Sequence, residues 1–194
     1  GSVMQAIAGI HFNYSFSLDF WQAYRDLMSP DMSVRNFIDC HYMGLARNVL
    51  RYGWIIPYLF GASASVCKSF MKDYHEHELE EFDDNTFYLP YATSLRMGDI
   101  GYQNSQEEEK GVKANYNSLY HYVHSLRAAM KTSCEDFEKI GFKKDGKYQQ
   151  LNTNILQIAN EYYASVRPKP LLYGIDRPLR ALTNNGIGYI EIRS

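Results

Sequence analysis

The sequence predicts an α+β fold, on three observations. Segments of alternating apolar and polar residues open and close the chain, helical periodicity occupies the stretch between them, and no internal repeat or low-complexity tract divides it. With 194 residues there is room for one domain, or two small ones at most, and for a real core. Hydrophobic residues at 45% and charged residues at 22% are ordinary globular values.

Residues 9–16 (GIHFNYSF) put Ile10, Phe12, Tyr14 and Phe16 on one face of a strand and Gly9, His11, Asn13 and Ser15 on the other. Ser17 is placed to cap a first helix carrying Leu18, Trp21, Leu27 and Met28, which stops before Pro30. A second helix begins after Ser33, with Val34, Phe37, Ile38, Leu45, Val49 and Leu50 at helical spacing, and runs to Arg51 or Tyr52. Trp54 to Phe60 (WIIPYLF) is apolar nearly throughout and is expected to be buried, although Pro57 excludes a central strand. Gly61 to Ser65 is expected to turn into a short helix. The acidic run within 73–86 reads as a solvated loop, 91–104 hold too many turn formers for one long element, and 106–110 read as an exposed connection.

Asn117 is the expected cap of a helix through Lys131, with Leu119, Tyr122, Val123, Leu126, Ala129 and Met130 inward. A short helix follows from Cys134 to Ile140, and Lys144-Asp145-Gly146-Lys147 signals a hairpin. Residues 151–166 read as an extended segment ending at Pro168. Ile187 to Arg193 alternates again, with Ile190 and Ile192 on one side and Tyr189, Glu191 and Arg193 on the other.

A net charge of -2 gives no positive field for a nucleic acid or an anionic membrane, so neither is an expected partner. Mean hydropathy is -0.41, and no apolar run approaches the roughly 18 residues of a spanning helix. Three cysteines, Cys40, Cys67 and Cys134, indicate neither a disulfide framework nor a zinc site and suggest a reducing, cytoplasmic compartment; Cys40 and Cys67 read as buried small hydrophobes. The first residues are not expected to be a signal peptide, and Gly1-Ser2 reads as a cloning scar. The surplus is tyrosine: 17 of them suggest surfaces that are half buried and half wet.

The candidate residues lie mostly on the polar strand faces. His11 and Asn13 stand between aromatics, where a solvent face would more often carry Lys, Glu or Thr, and Gln5 shares their face. Glu191 and Arg193 share the face of the last strand and read as a surface ion pair or as part of a site. Arg96, in a turn-rich loop with Asp99 and Tyr102, could hold a carboxylate or phosphate, or brace the loop. His75 and His77 are a weak metal pair, and His121 and His124 read as helix-surface residues. No phosphate loop, dinucleotide fingerprint or zinc spacing occurs.

The stretches AGIHFNYS (8–15), RYGWIIPYLFGAS (51–63), YLPYATSLRMGDIGYQN (88–104), KIGFKKDGK (139–147), LNTNILQIANEYYASVRPK (151–169) and GIGYIEIRS (186–194) strongly resemble glutamate-cysteine ligase of the gamma-proteobacterial type. Only the loops near 72–86 and 170–185 lack a clear match. The resemblance implies that residues 3–194 are a central portion of that enzyme, without its N-terminal Glu-x-Glu strand. It also implies part of a glutamine synthetase-like fold: a curved antiparallel sheet, helices packed on its outer face, and the site on its concave polar face.

The activity implied is ATP- and Mg2+-dependent joining of the γ-carboxylate of L-glutamate to the amine of L-cysteine, through γ-glutamyl phosphate, the first step of glutathione synthesis. By the same resemblance His11 and Glu191 are metal ligands and Arg193 lies beside the phosphate. Arg96 would hold a substrate carboxylate, and Gln5, Tyr102 and Tyr163 would line the cysteine pocket. Arg167 and Asn13 fall in matching motifs without an assigned role. The isolated portion is expected to be inactive and to dimerise through exposed sheet edges. The alternatives are a non-catalytic binding or assembly module on the same fold and another carboxylate-amine ligase.

Overall fold

The computed structural model describes residues 9–61, 63–73, 79–95, 113–172 and 175–193. Serine caps start the three long helices. Ser17 accepts a hydrogen bond from the Phe20 amide (3.2 Å) and opens α1 (Leu18–Met28); Ser33 accepts from Asn36 (3.3 Å) and opens α2 (Val34–Tyr52). Ser118, one residue past the expected Asn117, accepts from His121 (3.2 Å) and opens α4 (Leu119–Ala129). The shorter helices are α3 (Ile55–Phe60), α5 (Glu135–Ile140) and α6 (Pro178–Asn185).

The first and last alternating segments meet. β1 (His11–Tyr14) and β7 (Val166–Lys169) lie antiparallel on either side of β8 (Tyr189–Arg193). Opposed residues share a face, so the register divides the sheet cleanly. Phe12, Ile192 and Val166 fall on one face with Tyr14, Ile190 and Pro168; His11 and Arg193, then Asn13, Glu191 and Arg167, then Tyr189 and Lys169 fall on the other. Pro168 is tolerated because β7 is an edge strand.

The apolar face rests on α2, and one cluster joins Val166 and Ile190 to Trp21, Phe37, Tyr42, Met43, Tyr122 and Leu126. Four of the 17 tyrosines, Tyr42, Tyr116, Tyr122 and Tyr162, are buried here, whereas Tyr24, Tyr88, Tyr163 and Tyr189 are half-buried as expected. The Tyr42 hydroxyl accepts from the Phe16 amide (3.0 Å) and donates to Gly188 O (3.4 Å), tying the exit of β1 to the entry of β8. Tyr116 donates to Val166 O (2.9 Å), and Tyr162 accepts from the Ala114 amide (3.2 Å).

A second sheet orders β2 (Ser65–Cys67), β4 (Thr86–Tyr88) and β3 (Glu80–Asp83), all antiparallel, and β5 (Lys143–Lys144) with β6 (Lys147–Tyr148) makes the predicted hairpin. Asp145 (φ 51°) and Gly146 (φ 76°) supply the two positive φ angles such a tight turn needs.

Six expectations are corrected. The 54–60 stretch is not buried: it forms α3, with Trp54 63% and Phe60 79% exposed, because none of the described residues covers it. Pro57 sits in its first turn, where no helical N–H is needed. Residues 61–67 lead into strand β2, not a helix, since Val66 pairs with Phe87. Residues 80–83 of the acidic run pair as β3 through the Asp84–Asn85 turn, their charges staying in solvent. Residues 151–165 are turns and a 3-10 helix (Ala159–Glu161), with strand only from Val166, and α6 occupies the expected loop at 170–185, closed by Gly186 at φ 77°. Finally, Cys40 and Cys67 are exposed and only Cys134 is buried.

Candidate active site

The polar face of the first sheet gathers the charged residues of β7 and β8 beside His11. Glu191 is central. Its Oε1 faces His11 Nδ1 at 3.6 Å, and its Oε2 faces Lys169 Nζ at 3.4 Å and Arg193 Nε at 3.9 Å. Arg193 donates from Nε to His11 Nε2 (3.0 Å), and its guanidinium lies over the Tyr163 ring, 5.3 Å from the centroid. That bond makes His11 Nε2 the acceptor and leaves its proton on Nδ1, toward Glu191.

Burial distinguishes this cluster from a surface ion pair. The Glu191 and Arg193 side chains are 13% and 15% exposed, so their charges interact through partly desolvated surroundings. Arg167 is more enclosed still, at 8% exposure, and donates to Asn160 O at 3.1 Å. Burial, and then the Arg193 charge, lower its pKa from the ordinary arginine value. Behind it, burial pushes the Tyr122 hydroxyl up to about 12, a rise opposed by the Arg167 charge.

The structure thus brings together His11, Glu191, Arg193 and Tyr163 of the predicted residues, and places Asn13 and Arg167 in the same row as Glu191. Gln5, Arg96 and Tyr102, with His75 and His77, lie outside the described residues. His121 and His124 are exposed on α4 as expected. Lys169 was missed. Its signal was the spacing Arg167-x-Lys169, which repeats the two-residue spacing of Glu191 and Arg193, but the extended reading stopped at Pro168.

The described donor set does not make a Mg2+ site by itself. Magnesium takes about six ligands, chiefly oxygens. Here one carboxylate and one imidazole face the site, two cations flank the carboxylate, and no group of three or more His, Cys, Asp or Glu side chains converges among the described residues.

An antiparallel sheet, packed on helices by one face and presenting a half-buried cluster of charged residues on the other, defines an α+β protein. The comparisons narrow this. The family model for glutamate-cysteine ligase matches residues 1–194, and the chain belongs to that family. It is 46% identical over 193 residues to glutamate–cysteine ligase of Pseudomonas paraeruginosa and 47% identical over 195 residues to that of Baumannia cicadellinicola. All of the chain is covered in each comparison, but only 36% of either relative.

Among solved structures, the chain resembles glutamate–cysteine ligase from Francisella tularensis in complex with AMP: TM-score 0.83, 36% identity, covering 98% of this chain and 36% of that one. A bifunctional glutathione synthetase from Pasteurella multocida (TM-score 0.61, 24% identity, covering 100% of this chain and 20% of that one) shares the fold. The chain therefore spans about a third of the length of the relatives it matches.

Proposed function

We propose that this chain is a portion of a cytoplasmic glutamate-cysteine ligase and supplies one wall of its active site. The overall reaction joins L-glutamate to L-cysteine at the expense of ATP. A γ-carboxylate oxygen of glutamate attacks the γ-phosphorus, the bond to the bridging oxygen breaks, and ADP leaves. The cysteine amine then attacks the γ-carbonyl carbon of the acyl phosphate, the C–O bond breaks, and phosphate leaves with the amine proton. Two anions meet in the first step, so fixed cations beside the transferring group lower its barrier.

The observation that carries this reading is the half-buried cluster of Glu191, Arg193 and Lys169 on a rigid sheet face, in a chain of the glutamate-cysteine ligase family. Arg193 is held from both sides, by His11 and by Tyr163, and so is preorganised to meet a phosphoryl oxygen. Tyr163, with Gln5 and Tyr102, is proposed to line the cysteine pocket, and Arg96 to bind a substrate carboxylate. His11 and Glu191 are proposed as a partial Mg2+ ligand set, to be completed by carboxylates of the longer relatives' chain. The glutamine synthetase-like arrangement, with this polar face as the inner wall, is part of the same proposal.

The test is formation of γ-glutamylcysteine from glutamate, cysteine, ATP and Mg2+. The chain alone is expected to give none, and turnover comparable to a full-length relative would refute its being a partial site. In a full-length relative, replacing the arginine that matches Arg193 with methionine should lower kcat by roughly 100- to 1,000-fold. An unchanged kcat would remove Arg193 from the reaction.

A further inference from the structure

The contacts around Glu191 are all longer than a closed ion pair. A charge-assisted N–H···O bond is about 2.7–2.9 Å, whereas Lys169, His11 and Arg193 stand at 3.4, 3.6 and 3.9 Å from the carboxylate. Glu191 holds Lys169 and Arg193 near without closing a hydrogen bond to either. On the same face Arg167 adds a third cation, in the row of Glu191 and Asn13, so among the described residues three cations share one carboxylate. All are at least half-buried: Arg167 8% exposed, and the Arg193 and Lys169 side chains 15% and 25%. Partly desolvated like charges repel unless an anion compensates them.

Their geometry limits what that anion can be. Lys169 and Arg193 approach the same oxygen, Oε2, so they stand close enough for one diphosphate-sized group to touch both. The Nε edge of Arg193 is taken by His11, which leaves the edge formed by the two terminal amines to meet an oxyanion. The Lys169 backbone is anchored, since its carbonyl accepts from the Gly188 amide at 2.8 Å and the residue pairs with Tyr189. Its side chain is therefore a movable point charge on a fixed base.

We propose that Lys169 is a second phosphate-binding cation, which with Arg193 clamps adjacent phosphates of a nucleoside triphosphate, Glu191 serving as the spacer between them. This deepens the ligase reading and rests on it for the identity of the nucleotide; the oxyanion chemistry stands on the cluster alone.

The experiment is calorimetric titration of the 194-residue chain with inorganic tripolyphosphate and, separately, with ATP, for wild type, Lys169→Met, Lys169→Arg and Asn13→Asp. Lys169→Met should weaken tripolyphosphate binding by roughly ten- to a hundred-fold, and Lys169→Arg should restore most of it. Asn13→Asp places a carboxylate opposite Glu191 on an exposed strand without touching the core, and should also weaken binding. Tripolyphosphate binding that depends on Lys169 while ATP fails to bind would sustain the anion clamp and count against the nucleotide reading. Both anions binding Lys169→Met as tightly as wild type would overturn the role of Lys169 and leave the ligase reading standing. No binding of tripolyphosphate to folded wild-type chain would overturn the clamp.

Discussion

Among the described residues two three-stranded antiparallel sheets form, and the charges of one are half-buried while the acidic strand of the other is exposed. In the β1-β8-β7 sheet the apolar faces of β7 and β8 are pressed against α2, so the polar side chains of those two strands spring from an anchored backbone. In the β2-β4-β3 sheet, Met71 and Leu95 are the only buried residues, among those described, of the cluster beneath, β3 is exposed along its length, and its register shifts between Glu81 and Asp83. Both sheets pair antiparallel. What differs is the apolar face, and with it the precision with which charges can be held.

The sharpest way to break this contrast is to hollow out both supports. Phe37→Ala should cost about 3–5 kcal/mol because Phe37 is wholly buried under the first sheet. Met71→Ala should cost less than about 2 kcal/mol, at the lower limit for a buried methionine, since its cluster is small. Urea denaturation measures both, and equal losses would show that the second sheet is as well supported as the first.

The next effect is on pH. Burial raises the Tyr122 pKa to about 12, so the folded chain keeps a proton that the unfolded chain releases near 10. The associated stability is complete below about pH 10 and is lost as pH rises to about 12, by an amount of order 2–3 kcal/mol. Tyr122→Phe should flatten that loss, and a denaturation midpoint falling equally in wild type and variant over this window would exclude Tyr122 as its source.

Smaller effects separate two glycines of almost identical φ. At Gly186 a Cβ would meet Asp39 Oδ1 at 2.7 Å, whereas at Gly146 nothing lies within 4 Å. Gly186→Ala should therefore cost about 2 kcal/mol or more, and Gly146→Ala about 1 kcal/mol from backbone strain alone. A thermal scan giving equal losses would mean that the crowding at Gly186 relaxes.

The last prediction concerns mass. Among the described residues β1 is paired only on the β8 side, and Phe12 on its apolar face is 58% exposed. Two copies paired antiparallel through β1 with Phe12 opposite Phe12 would set Ile10 against Tyr14 and His11 against Asn13, with no like charges opposed. Sedimentation should show a dimer that Phe12→Lys converts to monomer; wild-type monomer at high concentration would contradict it.

Much of this was legible in residues with a local physical job. Ser17 and Ser33 marked helix starts because a hydroxyl there satisfies an orphan amide, and the alternation at 9–16 and 187–193 marked strands with one wet face. Helix α6 was hidden because a short amphipathic segment between Pro178 and Gly186 looks like loop until something stabilises it. Here Arg35 does so, donating to the carbonyls of Thr183 (2.8 Å) and Asn184 at the helix end. The exposure of α3 could not be read at all, because an apolar segment does not say which part of a chain covers it.

The candidate site divides the same way. By itself the sequence determined which residues face the polar side of each strand, since that follows from a period of two. Its resemblance to the ligases picked out His11, Glu191, Arg193 and Tyr163. Only the tertiary structure decided that Asn13, Glu191 and Arg167 share a row and that Lys169 and Arg193 converge on one carboxylate oxygen. The reason is register: strands distant in sequence can pair in several alignments, and burying Val166, Ile190 and their neighbours against α2 selects the one that gathers these charges on the opposite face.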